Sequence, residues 1–220
     1  MIKAVIFDMD GLLIDSEKSF LEIYQEMIDS KGNKVKFELN DYVENYCGKT
    51  AVANITHLIE QFEIDLTVKE GVDMLHTLEH EYVKKGIALK EGATTLLQYL
   101  KDHHYLIALG TSSVKERAET ILKNNNVFDY FDAVSYGVEV KNSKPAPDIF
   151  LNAASKLNLA PEQCLVLEDS EAGIQAGYNA HMPTICIPDL KTPSDAIKQL
   201  TTACLPSLEN VIEYLEKENQ

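Results

Sequence analysis

Near its start the chain reads Ile2-Lys3-Ala4-Val5-Ile6-Phe7-Asp8-Met9-Asp10-Gly11. The apolar, β-branched run up to Phe7 predicts a buried strand, and it stops abruptly at an acid. Two further runs stop at polar residues in the same way, Tyr105 to Leu109 and Cys164 to Leu167. Helical patterns follow them from near Val114 and near Ser170. Weaker strand candidates cover Ala133 to Ser135 and Thr184 to Ile187. Strands alternating with helices predict an α/β fold, a Rossmann-like parallel sheet covered by helices on both faces.

The stretch between the first two strands is of another kind. From Ser16 to Gly86 the pattern is helical, as in Phe20, Tyr24, Met27 and Ile28, with no strand signal. Breaks at Lys31-Gly32-Asn33, at Gly48 and between Phe62 and Thr67 divide it into four helices. The block is too long for a simple crossover connection. Residues 16–86 are therefore expected to form an inserted all-helical domain. Residues 1–15 and 87–220 would make the α/β core, with hinges at Gly11 to Asp15 and Gly86 to Gly92.

Composition narrows the function. The 220 residues carry a formal net charge of −15 and no basic stretch, which disfavours nucleic acid and anionic membranes as partners. No apolar run approaches the roughly 20 residues of a membrane span. The expected setting is the cytoplasm and the expected state a monomer. The four cysteines, Cys47, Cys164, Cys186 and Cys204, are scattered and are expected to be reduced thiols.

In open α/β sheets, ligands bind beyond the carboxyl ends of the strands. Asp8, Met9, Asp10 and Gly11 follow the first strand, Gly110 to Ser113 the second, and Glu168, Asp169 and Ser170 the run ending at Leu167. Lys144 and Pro145 precede a helix expected near Pro147. Asp8, Glu168 and Asp169 are hard oxygen ligands that suit Mg²⁺, and their like charges could not be gathered cheaply without a cation. Lys144 and the hydroxyls of Thr111 and Ser112 can hold phosphoryl oxygens. Asp10 is left for general acid–base work. The implied partner is a small phosphorylated metabolite.

Asp8-Met9-Asp10-Gly11, Thr111, Lys144-Pro145 and Glu168-Asp169 resemble the four motifs of the haloacid dehalogenase-type superfamily. Gly11 to Glu17, Lys144 to Phe150 and Leu167 to Gly177 are similar to its β-phosphoglucomutase-like phosphatase branch, and the helical insertion sits where that branch carries its cap. The resemblance implies that Asp8 attacks phosphorus to give an aspartyl-phosphate, with Asp10 as acid and then base. It also implies that Mg²⁺ is bound by Asp8, the backbone carbonyl of Asp10, Asp169 and Glu168, the last directly or through water. Ser16 and Lys49 become cap residues expected to meet substrate.

A magnesium-dependent phosphatase that hydrolyses a small phosphorylated metabolite, a sugar phosphate by class, is the reading that follows; the alternative is a β-phosphoglucomutase-type sugar phosphomutase. Where such mutases carry an arginine, a histidine and a lysine in the cap, this chain aligns Ala51, Phe20 and Leu78, which favours hydrolysis. A dehalogenase would have no use for Asp10, phosphonate hydrolysis would need a better-placed cap lysine than Lys49, and a non-catalytic sensor would not retain every chemical group. His76-Thr77-Leu78-Glu79-His80 matches a zinc-protease pattern but is read as surface histidines on a charged helix. Ser113 with Glu116 is read as a capping box, and Tyr42 and Tyr46 as core more than pocket.

Overall fold

The computed structural model describes residues 1–218, and the chain divides into two compact units. One comprises Met1–Asp15 and the chain from Ala88 onward; the other is Ser16–Ile87.

The first unit is built on six parallel strands, β1 (Ala4–Phe7), β2 (Leu106–Thr111), β3 (Ala133–Tyr136), β4 (Cys164–Glu168), β5 (Thr184–Cys186) and β6 (Ala203–Cys204). Their spatial order is β3-β2-β1-β4-β5-β6, so the chain reverses direction across the sheet at β1. Ile6 pairs with Ala108 and Val166, and Phe7 with Leu109 and Leu167. Ala4, Ile6, Ala108, Cys164 and Val166 share a core with Ile149, Phe150, Ala153 and Ala154 of a covering helix, and every residue of β1 and β4 is buried. Burial on both faces explains why these strands read as unbroken apolar runs and not as alternations.

Helices of this unit in chain order, after the four of the other unit, are α5 (Ala93–Asp102), α6 (Lys115–Asn124), α7 (Asp148–Lys156), α8 (Glu171–Asn179), α9 (Asp195–Lys198) and α10 (Asn210–Glu218). Among the described residues no helix is long and apolar enough to cross a membrane. After β1 the chain folds back on itself, with Leu13 N and Ile14 N donating to Met9 O at 2.9 and 3.0 Å. Ile14 then bridges antiparallel to Leu89, flanked by Lys90 N to Leu13 O and Asp15 N to Ala88 O, each 2.9 Å. The chain thus leaves this unit and re-enters it as two hydrogen-bonded neighbours.

The second unit contains α1 (Ser16–Ser30), α2 (Leu39–Asn45), α3 (Ala51–Phe62) and α4 (Val68–Lys85). In α1 the buried Ile23, Tyr24, Met27 and Ile28 form one stripe at helical spacing. Phe37, from the loop before α2, packs edge-on to Tyr46 at 4.9 Å, to Tyr24 at 5.7 Å and to Phe62 at 5.9 Å, so rings supply the centre of this unit. At the start of α4, Thr67 Oγ1 accepts from Glu70 N (3.2 Å) while Glu70 Oε2 accepts from Thr67 N (2.8 Å). This reciprocal capping box satisfies two amides that the helix start would otherwise leave open.

Two sequence expectations need correction, and one strand is new. β2 continues two residues past Leu109 to Thr111, because Gly110 and Thr111 pair with Ser135 and Tyr136 of β3. β6, only two residues long, is too short to give a periodic signal. Ser113 does not cap α6: Val114 holds the N-cap position without a side-chain bond, and Ser113 is engaged elsewhere.

Thr67→Ala should lower the stability of the helical unit by about 1 kcal/mol. Hydrogen exchange should show faster exchange at the first amides of α4 and no change in the strands of the sheet.

Candidate active site

The strand register fixes where the acids emerge. Phe7 lies level with Leu109 and Leu167, so the next residue, Asp8, stands beside Gly110 and Glu168 at the carboxyl edge of the sheet. Asp8 N donates to Leu167 O at 3.0 Å, which holds the backbone in strand geometry up to this carboxylate. Asp8 is 7% exposed and Glu168 is fully buried.

Between them lies Lys144. Its Nζ donates to Asp8 Oδ1 at 2.5 Å and to Glu168 Oε1 at 2.6 Å, and sits 4.8 Å from the centre of the Phe150 ring. The other oxygen of Glu168 accepts from Asp169 N (3.0 Å), Ser170 N (3.1 Å) and Ser170 Oγ (3.0 Å). Ser170 Oγ also caps α8 by accepting from Gly173 N at 3.1 Å. Gly173 is required at that first turn, since a Cβ there would come within 1.6 Å of Glu168 Oε1. Gly11, with φ +82°, is required twice: its backbone is left-handed, and a Cβ would come within 2.5 Å of Asp169 Oδ2.

One oxygen from each of Asp8, Glu168 and Asp169 lies within 4.8 Å of the others. Three carboxylates against one lysine leave an excess of negative charge. Burial pushes Asp8 up to about 7, with the Glu168 carboxylate adding to the rise and Lys144 opposing it. Burial, then Glu168 and Asp8, hold Asp169 well above the usual carboxylate range. Burial alone would lower Lys144, but the two carboxylates it touches raise it overall, so it stays protonated. Asp169 Oδ1 is buried with no hydrogen-bond partner. Hard oxygen donors, surplus negative charge and an unsatisfied buried oxygen together fit a small divalent cation such as Mg²⁺.

Asp10 lies outside that cluster. Its carboxylate is held by Arg117, with Nη2 to Oδ1 at 2.7 Å and Nη1 to Oδ2 at 3.0 Å, and Ser113 Oγ donates to Oδ2 at 2.8 Å. Ser113 and Arg117 are one helical turn apart and bond to each other at 2.6 Å. Neither was singled out as a site residue from sequence. A signal existed for Arg117: it is the chain's one arginine, every other basic residue of that kind being lysine. Only the planar guanidinium fork can match a carboxylate in this bidentate way.

The other sequence candidates are placed as follows. Thr111 is buried at the end of β2, its Oγ1 accepting from Ser113 N at 3.0 Å, and Ser112 is exposed beside it. Ser16 and Lys49 belong to the helical unit; Ser16 is buried, its hydroxyl without a partner, and Lys49 is exposed. None of the four cysteines, all among the described residues, is in a disulfide. His76 and His80 are exposed on α4, and among the described residues the acidic trio is the one group of metal-ligating type.

Several known proteins are similar to the chain. A phosphorylated carbohydrates phosphatase of Thermotoga maritima is 32% identical over 188 residues, covering 84% of each chain. The β-phosphoglucomutase of Bacillus subtilis is 29% identical, over 82% of this chain and 81% of its own. A HAD family hydrolase of Deinococcus radiodurans, solved with bound phosphate and sodium, shares the fold at a TM-score of 0.84 and 24% identity, over 98% of this chain and 96% of its own. The family model for haloacid dehalogenase-like hydrolases matches residues 5–187, and the chain belongs to that family.

Proposed function

We propose that the protein is a Mg²⁺-dependent phosphatase that hydrolyses a small sugar phosphate through an aspartyl-phosphate on Asp8. The observation that carries this reading is the buried Asp8 carboxylate at the end of β1, bonded to Lys144 and grouped with Glu168 and Asp169. Relatives named for phosphorylated carbohydrates and for fructose 1-phosphate support the substrate class.

Asp8 and Asp169 would hold the cation directly. Glu168, whose oxygens already accept four hydrogen bonds from Lys144, Asp169 and Ser170, would reach it through water. Mg²⁺ bound there supplies the positive charge that the three acids lack and that phosphoryl oxygens require. An Asp8 oxygen attacks phosphorus as the ester oxygen leaves, and Asp10 gives that oxygen its proton. Water then attacks the phosphorus of the aspartyl-phosphate, Asp10 takes the proton, and phosphate departs with Asp8 restored. Lys144 and the Thr111 and Ser112 hydroxyls hold the phosphoryl oxygens. Arg117 and Ser113 set the position of the Asp10 carboxylate. The helical unit acts as the cap, where Phe20 in place of a proton-gating side chain favours hydrolysis over mutase chemistry.

The deciding assay measures phosphate release from sugar monophosphates with Mg²⁺, alongside isomerised product. Asp8→Asn should abolish turnover of every substrate. Asp10→Asn should cost about 10²–10⁴-fold with sugar phosphates and much less with p-nitrophenyl phosphate, whose leaving group needs no proton. Equal losses for both substrates would contradict the acid role. Arg117→Lys keeps the charge and loses the fork; it should lower kcat on sugar phosphates by about tenfold and spare p-nitrophenyl phosphate.

A second expectation concerns pH. Burial raises Asp8 in the folded protein to about 7, from an ordinary 3.8. Between those values the folded state holds a proton that the unfolded chain has lost, so this group's contribution to stability falls as pH rises through that window. A cation removes that penalty, and protons compete with it at low pH. Saturating Mg²⁺ should therefore raise Tm by about 3 °C or more at pH 8 and by much less at pH 5. Equal shifts at the two pH values would count against a cation at Asp8.

A further inference from the structure

The last two strands at one edge of the sheet, β5 and β6, carry one cysteine each, and the chemistry above uses neither. Cys186 and Cys204 are direct partners in the parallel register. Level residues of neighbouring parallel strands point to the same face, so Glu168, Cys186 and Cys204 form one row across β4, β5 and β6. The two thiols are near enough for Cys204 to bear on the ionisation of Cys186.

The pair is unequal. Cys186 is fully buried, and burial pushes its thiol up to about 12, with Cys204, Asp169 and Glu168 adding to the rise. It stays protonated, and an oxidant in solution does not reach it. Cys204 is exposed on the edge strand. In such a pair the exposed sulfur meets the oxidant and the sheltered one resolves the product.

The register permits a bond. Neighbouring strands lie about 4.8 Å apart, inside the roughly 4.4–6.8 Å that a disulfide allows between Cα atoms. The Cβ atoms must approach to about 3.8 Å, closer than strand neighbours ordinarily stand, so one strand has to give. β6 can give: it is the edge strand, two residues long, held to β5 by Thr202 N to Thr184 O and Leu205 N to Cys186 O, each 2.8 Å. A bridge that draws in an exposed edge is strained, and strained bridges are the ones readily reduced again. Cys164 does not compete, since it opens β4 while Glu168 closes it, about 13 Å further along. Cys47 is engaged within the helical unit, its Sγ donating to Glu17 Oε2 at 3.7 Å.

We propose that Cys204 is a peroxide-reactive site and that Cys186 converts its oxidised form into a reversible disulfide joining β6 to β5. The Cys204 thiolate attacks one oxygen of the peroxide: an S–O bond forms, the O–O bond breaks, hydroxide leaves, and the sulfur gives up two electrons. The Cys186 sulfur then attacks the sulfenic acid. The S–S bond forms, the S–O bond breaks, and the Cys186 proton leaves with that oxygen as water. The ring so closed contains Asp189, which is ion-paired to Lys90 where the chain re-enters this unit.

The test treats the full reduced chain with hydrogen peroxide and maps its thiols by peptide mass spectrometry, a readout that does not depend on whether the chain hydrolyses any phosphate. Wild type should yield a linked peptide pair joining Cys186 to Cys204, two hydrogens lighter than the separate peptides, and dithiothreitol should restore both thiols. Cys204→Ser should lose the link and leave Cys186 unmodified. Cys186→Ala should stop at the sulfenic acid, trapped at Cys204 by dimedone. Cys204→Ser changes an exposed position, so it decides the matter if the buried substitution does not fold. The proposal is overturned if wild-type Cys204 stays unreacted, goes on to the sulfinic acid unlinked, or pairs with another cysteine or a second chain. Oxidation of Cys186 in Cys204→Ser would overturn it as well.

Discussion

One ammonium group organises the α/β unit. Lys144 sits between Asp8 at the end of β1 and Glu168 at the end of β4, two neighbouring strands in the middle of the sheet. Burying a carboxylate there is costly without a partner, and a single lysine serves two of them. Other local features follow from that pairing. Glu168 can be wholly buried because Lys144 takes one oxygen and the turn into α8 takes the other. That turn can come close because residue 173 is glycine, and Lys144 is supported from below by the Phe150 ring. Asp169, next in the chain, receives no such partner for Oδ1, and the remaining negative charge gathers where a cation would be useful.

How much of this was legible in the sequence depends on the kind of signal. Asp8 and Glu168 were readable because each ends an apolar run, and strand burial on both faces makes such runs conspicuous. Lys144 was readable from its place before a proline and a helix. The pairing of Asp10 with Ser113 and Arg117 was not. Ser113 and Glu116 have the spacing of a capping box, and spacing alone does not say that the serine hydroxyl turns to an aspartate 103 positions away. β6 escaped because two residues carry no period, and its pairing with β5 is decided by the sheet and not by its own composition.

Tyr42 and Tyr46 show a different limit. Their sequence reads as core more than pocket, and in the structure both descriptions hold: each is almost wholly buried, and each lines a cavity of about 260 Å³ in the helical unit. A ring can pack one edge against Tyr24 and Phe37 and turn its remaining surface to a void. Residue type and periodicity record the burial. They do not record which neighbours are missing.

The single arginine has a practical corollary. Dicarbonyl reagents that modify guanidinium groups would find one target in the 220-residue chain, and an arginine-specific protease one cleavage point, after residue 117. Labelling needs that side chain released from Asp10 and Ser113, and cleavage needs the start of α6 unwound as well. The two rates therefore report two depths of local opening at one place, a side chain let go and a helix turn undone, without a probe having been introduced.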